Sequence, residues 1–577
     1  MKEIKRNTKR NNLVQLLMSF VIIILINVIG YFVFTRFDLT SEKRYTLSEN
    51  TRNSLENLND VVYFKVYLEG EFPSGFKRLH NETREMLEEF RAYSTNIQYE
   101  FINPSANPDK KEMNALYQQL VQKGLQPTNL QTKNKGGSSQ QIIFPGAIVS
   151  YQGREVALPL LVTQLGLAAE AQLNNSIQAL EYNLVSAIRK VTIKEKPKIA
   201  FIEGQGELKR IYLADITQSL SEYYDVERVT IDGKINSLTN HIADSTENLI
   251  KNKYKAIIIA KPDSVFNEKD KFIIDQYVMH GGKILWMIDR TFASMDSLQG
   301  SATTPAIPLD LNLDDMLFKY GVRVNANLVL DLNALPIPMV TGSIGNQPQQ
   351  TFLPWYYFPI LTPSSKHPIV NNLNAIKTEF VSTIDTLVAP GIRKTVLLTS
   401  SKYSRIVNTP TIVNLEILRQ DPDERQYNMP FLPVAVLLEG SFESVFKNRL
   451  TPEVENAPEF GFKENSPATK MIVVGDGDII KSQLHLSKGY PLPLGYDQYT
   501  KESFGNKDFI LNCVNYLCDD SGLISTRARE LKIRLLDKTR VEKEKLKWQL
   551  INTLVPIALI ILFGVFQAIL RRRKYAK

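Results

Sequence analysis

Cysteine is almost absent from this sequence: Cys513 and Cys518 are the two in 577 residues. That excludes a disulfide scaffold, an iron–sulfur protein and the usual zinc clusters. The two thiols lie five positions apart on one expected helix. Their side chains then diverge by about 140°, so both should pack as small apolar groups. Histidine is also scarce, with five residues that share no spacing. His80, His241, His367 and His485 read as surface or packed side chains, and His280 precedes a strand at its wrong end. Without a nucleophile and a paired His, acyl-transfer chemistry lacks its parts. The turn EGQGE has no G-x-G-x-x-G and no P-loop Lys, and its two Glu would repel phosphate, so the chain is not itself an ATPase. No basic stripe with interleaved aromatics marks a nucleic-acid surface. Mean hydropathy is −0.18, too low for a polytopic permease. With 43% hydrophobic and 23% charged residues the chain is neither disordered nor fibrous.

What is present first is a pair of long uncharged runs. Leu13–Phe34 (LVQLLMSFVIIILINVIGYFVF) can cover a ~30 Å hydrocarbon core as a helix. It is too long for a signal-peptide apolar region and lacks a small-x-small exit. Leu550–Leu570 (LINTLVPIALIILFGVFQAIL) is the second, with Pro556 near its start. Both outer flanks are basic: Lys2, Lys5, Arg6, Lys9 and Arg10 at one end, Arg571, Arg572, Arg573 and Lys574 at the other. The expected topology is a two-span inner-membrane protein with cytoplasmic tails 1–12 and 571–577 and a periplasmic bulk. The net charge of +8 comes in part from these tails.

Between the spans the expected class is α/β. Residues 36–196 read β-α-β-α-β-β-α, the order of a thioredoxin-like module, but without C-x-x-C for redox work. In it Ser48 should cap a helix, Ile142–Tyr151 should pair with Glu155–Leu160 around the turn Gln152-Gly153, and Leu173–Thr192 should be one long helix. Residues 197–525 read as an open, doubly wound sheet domain. Its strands include Lys198–Ile202, Tyr254–Ala260 and Lys283–Ile288, whose continuous apolar runs mark strands buried on both faces. A Pro-rich insertion at about 291–466 should elaborate the sheet's edge before Lys470–Val474 and the helix Lys507–Leu517 close it. A charged juxtamembrane helix, 526–548, leads to the second span.

An open parallel sheet places its ligand site at the carboxyl ends of its strands. The residues expected there are Glu203, Gln205, Glu207, Asp263, Asp289, Asp476 and Asp478, an acidic rim suited to a cation, a sugar or a basic peptide. The competing reading is that Asp and Gly collect at strand exits as turn and cap residues. Asp289 would be the nucleophile of any enzyme reading, with no general base at recognisable spacing. No metal or cofactor is expected.

RYTLSENT after the first span, IEGQGE opening the sheet domain, VVGDGDII closing it and GLISTRARELKIRLLDKTRV before the second span stand together in this chain. In that combination the sequence resembles the GldG family of gliding-motility proteins of Bacteroidota. Relatives carry GHGE where this chain has Gln205. The resemblance implies a non-catalytic accessory subunit of an ABC-type transporter, acting with a GldF-like permease and a GldA-like cytoplasmic ATPase. It also implies a sheet domain similar to one in a subunit of eukaryotic intraflagellar transport. A periplasmic ligand-binding receptor using the acidic pocket is the alternative.

Overall fold

The computed structural model describes residues 2–32, 46–134, 137–243, 248–344, 347–363, 365–457, 460–520, 522–528 and 538–575. The chain forms two compact units, Met1–Glu530 and Leu531–Lys577. The fold is mixed α/β, with a helix at each end. Lys2–Phe32 is helical, and Leu13–Val28 is its described apolar stretch; Val33 and Phe34 lie outside the described residues. Lys538–Tyr575 is one helix that runs unbroken through Pro556. Its segment Arg540–Arg573 is, among the described residues, the one helix long and apolar enough to cross a membrane. Leu531, Leu535 and Leu536 of the expected juxtamembrane helix lie outside the described residues.

The first sheet has four strands in the order Ile97–Phe101, Val62–Val66, Gly146–Tyr151, Arg154–Pro159. The first two are parallel and the remaining pairings antiparallel. Alternation in Val62–Val66 buries Val62, Phe64 and Val66 against Leu79, Leu87 and Phe90 of the helix Ser74–Tyr93. The Gln152-Gly153 turn has φ of 48° and 80°, the left-handed pair that a type I′ hairpin demands. Two expectations fail here. Ile142–Tyr151 is not one strand: Pro145 lacks the N–H a ladder needs, and Gly137–Ile143 and Gly146–Tyr151 belong to different sheets. Leu173–Thr192 is not one helix but two, Ala169–Gln178 and Leu180–Thr192, parted at Ala179. Ser48 caps the helix Glu49–Glu56 as expected. Glu181, from the second of those helices, accepts from Ser48 N and Thr51 Oγ1, both at 2.7 Å, and ties this cap to the module's core.

The second sheet has seven strands. Their order is Ile392–Thr399, Pro433–Gly440, Thr469–Val474, Ile284–Met287, Ala256–Ala260, Lys198–Glu203, Asp225–Thr230. The last five are parallel. The first two come from the insertion and extend the sheet antiparallel. Alternate residues supply two cores. Phe201, Ile258, Met287 and Ile472 pack with Ile216 and Leu220 of the helix Ala214–Ser221 and with Phe509, Cys513 and Leu517 of the helix Asn506–Cys518. Ile202, Ile257, Trp286 and Val473 pack with Ile274, Tyr277 and Val278 of the helix Glu268–Met279. Covering on both faces explains why these strands read as unbroken apolar runs. Both cysteines are free and buried in the first of these cores.

The rest of the insertion is more ordered than its prolines suggest. Ala334–Ile344 and Gln347–Leu361 form a long antiparallel pair with two register shifts. Trp355, Tyr357 and Phe358 build a further aromatic core with Phe380. The segment around Glu379 then runs along the carboxyl ends of the parallel strands. Its Lys377 N–H bonds Asn506 Oδ1 at 3.1 Å and its Ser382 N–H bonds Gly475 O at 2.8 Å.

Candidate functional site

The parallel strands run outward in both directions from Lys198–Glu203, so the order reverses between that strand and Ala256–Ala260. Such a switch point opens a crevice at the carboxyl ends. A cleft of about 400 Å³ lies there, lined by Glu207, Lys261, Asp263, Asp289, Asp478 and Lys481 among others. Chain from the insertion, including Phe292, Glu379 and Phe380, forms other parts of its wall.

Close backbone approach shapes the exit VVGDGDII. A Cβ on Gly475 would sit 2.3 Å from Ser382 O, and one on Gly477 would sit 2.5 Å from Lys261 Cβ. Only glycine admits the insertion and the lysine together. The tight exit then aims its acids. Asp476 is fully buried; its Oδ1 accepts from Asp478 N at 2.6 Å and its Oδ2 from Glu379 N at 2.9 Å. Asp289 Oδ1 accepts from Gly477 N at 2.5 Å.

Carboxylate oxygens of Asp289, Asp476 and Asp478 lie within 4.8 Å of one another, a spacing that could hold a metal ion. A resident cation is already at two of them. Lys261 Nζ contacts Asp289 Oδ2 at 3.0 Å and also bonds Asp478 Oδ2. Lys481 Nζ reaches Asp478 Oδ1 at 3.0 Å. Burial opposes ionisation of Asp478, but Lys261 and Lys481 outweigh it and hold the acid at about 2. Burial, then the charges of Asp289 and Asp478, push Asp476 far up. Burial also raises Asp289, against the pull of Lys261. Lys261 is raised because Asp289 and Asp478 overcome its burial. Asp289 and Asp478 therefore form a lysine-centred ion cluster, and Asp476 beside them is favoured in its neutral form. That cluster leaves no vacant cation position between Asp289 and Asp478.

The other expected site residues separate. Glu203 pairs with Arg228 at 2.5 Å, beside the cleft and not in it. Gln205 turns away: its Nε2 donates to Asp270 Oδ2 at 2.9 Å, at the start of the helix Glu268–Met279. Glu207 lines the cleft, accepts from Gln205 N at 2.8 Å and is raised by burial. Sequence reading by acids alone missed Lys261, Lys481 and Glu379. Lys261 was within reach of the same strand-exit rule, since it directly follows AIIIA. Lys481 lies one helical turn after Asp478. Glu379 carries no local signal, because only the fold of the insertion brings it here.

Residues 196–513 match a family described as an ABC-type uncharacterized transport system. The chain belongs to that family. It is thereby an auxiliary component of an ABC-type transport system, with its partners in the transporter. Residues 41–150 match a domain of unknown function, DUF7088. An uncharacterized protein of Borreliella burgdorferi is 20% identical over 575 residues, covering 98% of this chain and 99% of the relative. Among solved structures, the mmIFT52 N-terminal domain is similar at 13% identity and a TM-score of 0.30, over 56% of this chain and 98% of that domain.

Proposed function

We propose that this chain is a non-catalytic, membrane-anchored accessory subunit of an ABC-type transporter of the GldG kind, associated with gliding motility. The family match over residues 196–513 carries the reading. The apolar helix Arg540–Arg573 supports an anchor. In this proposal Leu13–Phe34 is a second span, both basic tails are cytoplasmic, and the bulk is periplasmic on a bacterial inner membrane. The body comprises a module at 36–196 and a sheet domain at 197–525. The strand order of the first sheet, with its third strand in sequence of the four running against the rest, supports a thioredoxin-like reading of that module. Its partners are a GldF-like permease and a GldA-like ATPase. The non-catalytic role is supported by Asp289, whose oxygens are engaged by Lys261 and by Gly477 N–H.

Affinity purification of the full chain in mild detergent tests this. A permease and an ATPase should co-purify in about equal amounts; recovery of the chain alone across several detergents would refute the proposal. For topology, protease added outside spheroplasts should digest the body, and the same protease added to inverted vesicles should spare it.

The cleft favours a second reading, in which the same subunit also binds a ligand. Its place at the switch point of the sheet is the supporting observation.

A further inference from the structure

One buried carboxylate oxygen of the cleft is left unsatisfied by the protein, and a second carboxylate in the lining has no direct side-chain partner among the described residues. Oε1 of Glu207 is buried and has no hydrogen-bond partner among the described residues. The Glu379 carboxylate lines the same cleft and has no hydrogen-bond or ion-pair partner among the described residues; its backbone N–H alone is engaged, by Asp476. Burial raises both carboxyls, against the pull of Lys481, Lys377 and Lys261 on Glu379; a donating cation in the cleft would favour their ionised forms, which only accept.

The cleft's own cations are not available for this. Lys261 is held by Asp289 and Asp478, and Lys481 by Asp478. These four side chains cancel in charge. Glu207, Asp263 and Glu379 then face the space, and Lys209 is the remaining basic residue of the lining. Such a cavity concentrates positive charge. Part of its wall is apolar and aromatic, from Phe292, Met295 and Phe380. Aromatic faces attract organic cations. A bare metal ion suits the space less well, because Lys261 already occupies the position between Asp289 and Asp478.

We propose that this cleft binds an organic cation, an alkylammonium or guanidinium group, held by Glu207 and Glu379 with the Phe292 and Phe380 rings beside it. The inference rests on the ligand-cleft reading given above. Its volume, about 400 Å³, fits a group the size of a long basic side chain. The cation can come from a free diamine or from a basic side chain of a peptide.

Isothermal titration calorimetry on the full chain in detergent separates these sources, using 1,5-diaminopentane and a blocked Gly-Lys-Gly peptide. Glutarate and Ca²⁺ serve as comparators. Binding of either amine, weakened about tenfold or more by Glu379→Gln, supports the proposal. The diamine alone identifies a free amine, and the peptide alone a side chain. Gln keeps the shape and the backbone bond to Asp476, so the melting temperature of that variant should stay near that of the parent. Phe292→Ala, at a half-exposed position, should weaken binding independently. Unchanged affinity in Glu379→Gln overturns the inference, as does preference for Ca²⁺. Glutarate binding in place of the amines also overturns it while leaving a ligand cleft. Silence with every probe removes the inference and the ligand-cleft reading together, and leaves the accessory-subunit reading to its own purification test.

Discussion

Replacing Asp478 by Asn tests whether the lysine-centred cluster holds the sheet's carboxyl edge together. The side chain is 5% exposed and bonds two ammonium groups, Lys261 and Lys481. Removing one partner of a buried pair costs about 3–5 kcal/mol when the other charge is left uncompensated, and because Lys261 keeps Asp289 the loss should fall at the lower end. The acid itself gives an independent figure. A shift from the ordinary 3.8 to about 2 corresponds to about 2–3 kcal/mol. Both point to a loss of about 3 kcal/mol at neutral pH. For a domain the size of the 196–513 match, that is a fall of about 5 °C in melting temperature. The pH dependence has a definite sign. Asp478 is depressed in the folded state, so its stabilisation is present above 3.8 and is lost as pH falls toward 2. The difference between parent and variant should therefore be full at pH 7 and reduced at pH 3. Urea unfolding of the full chain in detergent at both pH values measures it. A penalty under about 1 kcal/mol at pH 7, or one that grows on acidification, would refute the assignment.

Other outcomes follow from the same structure. Gly475→Ala should destabilise by about 2 kcal/mol or more, because its Cβ meets the unyielding Ser382 carbonyl; thermal melting reads this. Glu181→Ala removes the acceptor shared by Ser48 N and Thr51 Oγ1 and should cost about 1–3 kcal/mol, with earlier proteolysis of the first module. Ile560→Lys places a charge in the middle of the long apolar helix and should reduce retention of a helix fusion in carbonate-washed membranes; unchanged retention argues against a span.

The parallel strands were legible from their residues. AIIIA, ILWM and MIVV are apolar without alternation, which is what two covered faces require. The Gln152-Gly153 turn and the Ser48 cap were legible because each depends on local chemistry. Pro145 defeated the strand around it, since one missing N–H outweighs the β-forming residues on either side. The aromatic hairpin Ala334–Leu361 was hidden by Pro336, Pro338, Pro354 and Pro359. Those prolines read as loop, yet two register shifts accommodate a strand pair. At the rim, the strand-exit rule found Asp289, Asp476 and Asp478. It could not say that Gln205 turns toward Asp270, because that depends on a helix 65 residues later.

The position of Thr469–Val474 in the sheet bears on how the chain is made. This strand is interior, flanked by Pro433–Gly440 and Ile284–Met287, yet it is synthesised after the whole insertion. Until it emerges, Ile284–Met287 presents a bare, wholly apolar edge to its surroundings. Polypeptides that stop short of residue 469 should therefore clump or be degraded in the cell. Newly made chains pass through a vulnerable interval in which a chaperone must shield that border.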